Sequence, residues 1–302
     1  AKAAIIIGTS GTTGAPKEIS LSAHALVSSA RASNKFIGAK PGDTWSLLLP
    51  LTHVAAVNVF VRAFELGTIP VDLRNHVGEY PRVDFTAIVP TQLFRALNGD
   101  DNLLKHLQSA QKVLVGGAAL SIGVRNQAIA AGINVVTTYG MSETCGGCVY
   151  NGETLDGVDI EIRGGSIFIR GSVLALDLDL VDGWFESNDL GEFVNGSLKV
   201  LGRTDDVINS GGVKISLSDV EAQINKIIPT AEIITFSMPD DKWGQMLCLA
   251  STTAVDLVKI KAALGPVLTP KSSFVFQSIP RTTLGKPDRI MAAEIAKKIE
   301  TK

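Results

Sequence analysis

Residues 134–147 read NVVTTYGMSETCGG. The first half is a β-branched run, which fits a pleated and half-buried strand. The second half is an island of glycine, hydroxyls and one carboxylate. The same strand texture recurs upstream in TWSLLL (44–49), TIPVDL (68–73), FTAIVP (85–90) and KVLVGG (112–117), and AAIII (3–7) reads as a buried strand. Helical stretches lie between most of these runs. One covers 22–36 and starts near Ser20 or Ser22, and another covers 53–66 and is largely apolar. A third covers 121–131. Gly67 and Gly132 stand at the ends of the last two, where a helix commonly stops in a left-handed residue. Strands alternating with helices predict a mainly parallel sheet covered on both faces.

The texture changes near residue 158. VDIEIR, SIFIRG, ALDLDLV and GEFVNGSLKVLG are short alternating strands, and Asn195-Gly196 is a strong hairpin turn. An antiparallel β region therefore follows the α/β part. GRTDDVINSGG (202–212) interrupts with charge and glycine and reads as a linker. A fresh unit begins after it. Ser218 and Glu221 make a capping box, AEIITFSMPD and MLCLASTT are strands, and 255–264 and 288–299 are helices.

Length and charge bound the function. A chain of 302 residues has room for two domains. Hydrophobic residues at 45% can build a sizeable core. With 28 basic and 30 acidic residues interspersed, the electrostatic footprint of a general nucleic-acid binder is missing. No apolar run approaches the ~20 residues of a spanning helix, and no signal segment opens the chain. Three cysteines do not form a disulfide framework, so a reducing cytoplasm is expected. Oligomeric state is not legible.

Five islands are rich in glycine, polar and charged residues. They are 9–17 (TSGTTGAPK), 139–147 (YGMSETCGG), 183–192 (GWFESNDLGE), 202–214 (GRTDDVINSGGVK) and 280–289 (PRTTLGKPDR). In the first, glycine lets the backbone turn where a Cβ would clash. Such a loop can aim several N–H groups at an anion, with hydroxyls and Lys17 adding donors and charge. A Gly/Ser/Thr-rich surface loop has the same composition. The loop lacks the Gly-Lys-Ser/Thr ending of a P-loop, which argues against a phosphotransferase. Cys145 and Cys148 have C-x-x-C spacing but no second ligand pair, so zinc is not expected. His24, His76 and His106 read as surface or core histidines.

Taken together and in this order, the islands resemble the adenylate-forming superfamily of acyl-CoA synthetases, peptide-synthetase adenylation domains and luciferases. Within it, LPLTH (49–53) and YGMSETCGGCVYNG (139–152) look most like the ligases that join o-succinylbenzoate to CoA in menaquinone biosynthesis. The resemblance covers nearly the whole chain. It implies an α/β fold with a large N-terminal domain, residues 1–202, holding the parallel sheet and the antiparallel β region. A small mobile α+β domain, 206–302, follows a hinge at 203–205. Larger members carry an extra subdomain before the phosphate loop, whereas here the loop begins eight residues in, which fits a compact lineage and a truncated chain equally.

The implied chemistry is ATP-dependent: carboxylate and ATP give acyl-AMP and pyrophosphate, and the acyl group then passes to the CoA thiol. The resemblance assigns Thr9, Ser10, Gly11, Thr12, Thr13, Gly14 and Lys17 to the β- and γ-phosphates. Glu143 is the magnesium-associated acid, since a hard cation bridging phosphates takes oxygen ligands. Ser142 meets the α-phosphate. Tyr139 and Gly140 lie against the adenine, with Gly116, Gly117 and Ala118. Asp189 takes the ribose hydroxyls with Arg203, although the usual Thr-Gly-Asp is here Ser187-Asn188-Asp189. Lys286 is the catalytic cation, able to stabilise charge developing at the α-phosphate, and Gly285 gives it close approach. Asp205 is the hinge residue of a domain rotation that withdraws this lysine. Gly212 lines the pantetheine tunnel. His53 is placed at the mouth of the acyl pocket, and Arg74 is a candidate cation for a second substrate carboxylate. Other aryl- or acyl-CoA ligases share these features. A non-catalytic nucleotide sensor would lack Lys286 or Glu143, and both are present.

Overall fold

A computed structural model describes residues 2–10, 16–228, 232–281 and 287–300. By packing, the chain divides into two units, residues 1–187 with 193–199 and residues 188–192 with 200–302.

The first unit opens on a hairpin of β1 (Ala3–Ser10) and β2 (Pro16–Ser22), paired antiparallel with Thr9 opposite Lys17. The 3–7 run is therefore only half buried. Ile7 is buried, but Ile6 faces solvent, because a two-stranded ribbon has a wet face. Helix α1 (Ala23–Ile37) starts at Ser22, whose hydroxyl accepts from Ala25 N at 3.1 Å, and stops at Gly38 in the left-handed region. β3 (Trp45–Leu47), α2 (Val54–Glu65), β4 (Val71–Asp72) and β5 (Phe85–Ile88) follow. Next come α3 (Pro90–Leu97), α4 (Asp101–Ser109), β6 (Lys112–Val115), α5 (Ile122–Ala130) and β7 (Val135–Met141). β8 (Gly146–Tyr150) and β9 (Glu153–Thr154) close a seven-stranded sheet of order β4-β3-β5-β6-β7-β8-β9.

That sheet is parallel from β4 to β7 and antiparallel from β7 to β9. Its side chains alternate between two cores, as strand geometry requires. Leu47, Leu114 and Val136 pack with α1 and α2 residues such as Ala32, Ala56 and Val59. Leu48, Val113, Val115 and Val135 pack on the other side with Leu93, Leu103, Leu107 and Ala128 from α3, α4 and α5. Both faces are covered, as a parallel sheet needs.

A second, five-stranded sheet holds β10 (Val158–Arg163), β11 (Ser166–Gly171), β12 (Leu180–Val181), β13 (Trp184–Val194) and β14 (Ser197–Arg203). The ALDLDLV run supplies only the two residues of β12.

In the second unit, the 202–212 run is largely ordered structure rather than a linker. A 3₁₀ turn at Thr204–Asp206 leads into β15 (Val207–Ser210), which pairs with β16 (Val213–Ser216). Helix α6 (Leu217–Ile227) is capped by Ser216, which accepts from Asp219 N at 3.2 Å, two residues before the expected Ser218. β17 (Ile233–Asp240), β18 (Gly244–Ser251), α7 (Leu257–Leu268), β19 (Ser272–Val275) and α8 (Arg289–Glu300) complete the unit. Its sheet runs β16-β15-β18-β17, with β19 also on β18. Phe236, Phe274 and Phe276 cluster with Ala292 and Ala296 of α8. Trp243 lies against Gly211, where a Cβ would meet the ring at 2.7 Å, and the Lys242 and Lys271 ammoniums stand 5.2 and 5.1 Å from its ring centre.

Candidate functional site

In the first unit the candidate residues gather where β7 ends. Tyr139 and Gly140 directly precede its last residue, Met141, and Ser142–Thr144 form a 3₁₀ turn directly after it. Tyr139 is half-buried, and its phenol donates to Ser187 Oγ at 3.5 Å. Ser187 in turn donates to Ile167 O at 2.9 Å, tying the tyrosine to the second sheet. Glycine is required at 140 by packing, because a Cβ there would meet Gly146 O at 1.9 Å. Gly116 directly follows β6 beside β7, where a Cβ would meet Thr138 Oγ1 at 2.1 Å. Gly117 follows at φ +81°, a conformation that glycine adopts without strain. Ala118 is exposed beside it.

The turn carrying Ser142 and Glu143 is braced from several sides. Thr144 Oγ1 accepts from Met141 N at 2.9 Å and donates to Gly146 O at 2.7 Å. Ala175 N donates to Glu143 O at 2.8 Å. Cys145, which ends the turn, takes φ +50°. Its carbonyl accepts from Ser29 Oγ of α1 at 3.2 Å and from Asn58 Nδ2 of α2. The Cys145 thiol is buried, and burial pushes its pKa up to about 12, so it is no thiolate nucleophile.

The donor set suits a magnesium ion held mainly through substrate oxygens. Glu143 is a half-buried carboxylate on the turn, and no group of three or more His, Cys, Asp or Glu gathers among the described residues. One carboxylate with phosphates and water is the usual magnesium pattern, not an all-protein cage.

His53 stands at the N-cap of α2, with Nδ1 3.0 Å from Thr52 Oγ1. Arg74 follows β4 and is engaged by Asp72 through two bonds of 2.8 and 2.6 Å. That guanidinium holds the Asp72 carboxyl at about 2. Lys17 lies exposed on β2. Gly11, Thr12, Thr13 and Gly14 lie outside the described residues, as do the side chains of Thr9 and Ser10.

In the second unit, Asp189 is buried within β13, and Arg203 ends β14 with Nη1 3.5 Å from Asp189 Oδ1. Gly212 sits in the β15–β16 turn at φ +84°, with open space where a Cβ would lie. Lys286, Gly285 and the side chain of Asp205 lie outside what is described. The stems of the 282–286 segment are paired, Arg281 with Pro287 as an isolated bridge, and Asp288 N with Pro280 O at 2.9 Å.

Three residues past 286, Arg289 opens α8 as a largely buried cation that the sequence reading passed over. Its Nε donates to Asp206 Oδ1 at 3.1 Å, and Nη1 donates to Glu221 Oε1 and to Thr235 O at 2.7 Å. Nη2 donates to Ser218 Oγ at 3.2 Å. Burial lowers the arginine pKa, but Glu221 and Asp206 outweigh it and hold it above its usual value. A signal was present: a cation in a helix's first turn opposes the macrodipole, so it needs a dedicated acid. Asn58 had a similar signal, a lone amide inside VAAVNVFV.

Known proteins similar to this chain identify its family. Residues 1–171 match the family model described as AMP-binding enzyme. A protein of Mycobacterium tuberculosis named "Probable 2-succinylbenzoate--CoA ligase" is 35% identical over 319 residues, covering 95% of this chain and 82% of its own length. The o-succinylbenzoate CoA synthetase of Bacillus subtilis, solved with its acyl-adenylate intermediate, is 24% identical with a TM-score of 0.81, over 95% of this chain and 68% of that one. ATP-bound MatB from Rhodopseudomonas palustris shares the fold at a TM-score of 0.86 and 22% identity, over 98% and 69%. The chain belongs to the AMP-binding enzyme family.

Proposed function

We propose that this protein is a cytoplasmic ATP-dependent acid–CoA ligase acting on 2-succinylbenzoate through an acyl-adenylate. One observation carries the reading: the mycobacterial relative is 35% identical over 319 residues, a match that covers 95% of this chain. The substrate carboxylate attacks the α-phosphorus of ATP, the bond to the β-phosphate oxygen breaks, and pyrophosphate leaves. CoA thiolate then attacks the acyl carbon, AMP departs, and the thiol proton goes to solvent.

Each residue has a task in that sequence. Lys17 and the hydroxyls from Thr9 to Thr13 hold the β- and γ-phosphates, and Ser142 donates to the α-phosphate. Tyr139 flanks the adenine, and Asp189 accepts from the ribose hydroxyls while Arg203 steadies it. Magnesium, when bound beside Glu143, neutralises phosphate charge. Lys286 stabilises the negative charge that grows on the α-phosphate oxygens, the kind of aimed electrostatics that lowers barriers most. His53 orients the carboxylate, and Arg74 is a candidate for the substrate's second carboxylate. Asp205 is the pivot between two arrangements, and Gly212 keeps the pantetheine passage open.

The test is acid-dependent pyrophosphate release, followed by thioester formation on adding CoA. 2-Succinylbenzoate should turn over best in a panel of aryl and alkyl acids. Turnover of a different acid alone would overturn the substrate, and ATP binding without turnover of any acid would overturn the ligase reading.

A further inference from the structure

Helix α2 faces an apolar core, yet at its centre stands Asn58, fully buried. Its Nδ2 donates to the Cys145 carbonyl, while its Oδ1 has no partner among the described residues. An unpaired buried acceptor is costly, so packing alone would favour an apolar residue here. What the amide offers is the donor. Cys145 needs it, because this non-glycine residue sits at φ +50°, where its Cβ crowds the backbone. Such strain persists only where neighbours over-determine it. Here Ser29 from α1 and Asn58 from α2 both hold the same carbonyl, at a point two residues beyond Glu143. Gly146 is fitted to the same bracket, since a Cβ there would meet Asn58 Nδ2 at 2.2 Å.

We infer that Asn58, assisted by Ser29, is a positioning residue. It clamps the left-handed Cys145 turn and thereby fixes the direction in which Ser142 and Glu143 project from the end of β7. The inference rests on the ligase reading only for its catalytic consequence. The clamp itself is a property of the first unit.

The experiment is a double-mutant cycle of Asn58→Ala and Cys145→Gly, read in two ways. Glycine takes the left-handed conformation freely, so it replaces the clamp but does not fill the hole left by the amide. Asn58→Ala should raise the magnesium and ATP concentrations for half-maximal pyrophosphate release by about tenfold, the size that one left-handed residue's strain can shift an equilibrium. Cys145→Gly alone should be nearly neutral, and together with Asn58→Ala it should recover most of the loss. Amide exchange of residues 143–147, measured without ligand, should rise in Asn58→Ala and fall back in the double variant. Failure of glycine to rescue either readout would make Asn58 plain core packing and end the proposal. If no variant and no wild-type sample released pyrophosphate, the ligase reading would fall, and the exchange data would still decide the clamp.

Discussion

Arg289→Leu tests whether the second unit is held by a buried ion network. Leucine keeps the aliphatic volume and removes five hydrogen-bond donors, leaving Asp206 and Glu221 with no cation between them. Breaking a buried pair from one side costs ~3–5 kcal/mol. The three side chains retain 17, 23 and 15% exposure, so water relieves part of the penalty and the low end applies. A loss of about 3 kcal/mol in a unit of about 100 residues should lower its melting temperature by about 12 °C or more. The assay is thermal and urea unfolding of the whole protein, followed by a probe confined to the second unit. Glu221→Gln in the same background should return about 1 kcal/mol or more, because neighbours in one network couple. A shift below about 3 °C, or strictly additive variants, would refute the network.

Further outcomes follow from the site. Lys286→Ala should abolish pyrophosphate release while leaving thioester formation from supplied acyl-adenylate largely intact; an equal fall in both would remove the lysine's specific role. Asp205→Pro should do the reverse, checked by the same two half-reactions. Glu143→Gln should raise the magnesium requirement by ~10–100-fold, the worth of one charge-assisted contact, in a magnesium titration of pyrophosphate release. His106 is buried with Nε2 3.0 Å from Ser46 Oγ, and burial lowers its pKa. The folded state therefore binds its proton less readily than the unfolded state. Its contribution is complete above a pH of about 6.5 and is lost as pH falls below that value. Urea midpoints from pH 7.5 to 5 should fall less steeply in His106→Gln than in the wild type.

The alternating sheet was legible because its strands carry β-branched runs whose two faces feed two cores, as Val135 and Val136 do. Helix ends were legible where glycine or serine supplied a local signal, as at Gly67 and Ser22. The first strand was misread because five apolar residues look alike whether a strand has one neighbour or two; only the pairing partner, β2, exposes Ile6. The 202–212 run looked like a linker because charge and glycine dominate it, yet Ile208 points inward and its neighbours pair with β16. Asp206 in that run is the acid of a partly buried network, which no local window can distinguish from a solvated one. Among the candidate site residues, those on motifs carry a local signal, whereas Asn58, Ser29 and Arg289 act through partners 54 to 116 positions away. Long-range partners leave a trace only as local misfits, an amide in an apolar helix or a cation at the wrong helix end.

The chain's three tryptophans fall at positions 45, 184 and 243. Trp45 is fully buried in the first unit, Trp184 lies in that unit's second sheet, and Trp243 rests on Gly211 in the other unit. Replacing Trp45 and Trp184 by phenylalanine would leave a single indole whose emission reports on the second unit alone. Its two neighbouring ammoniums make that light sensitive to any anionic ligand that draws them off the ring, so one fluorophore can serve as both a melting gauge and an optical titration signal.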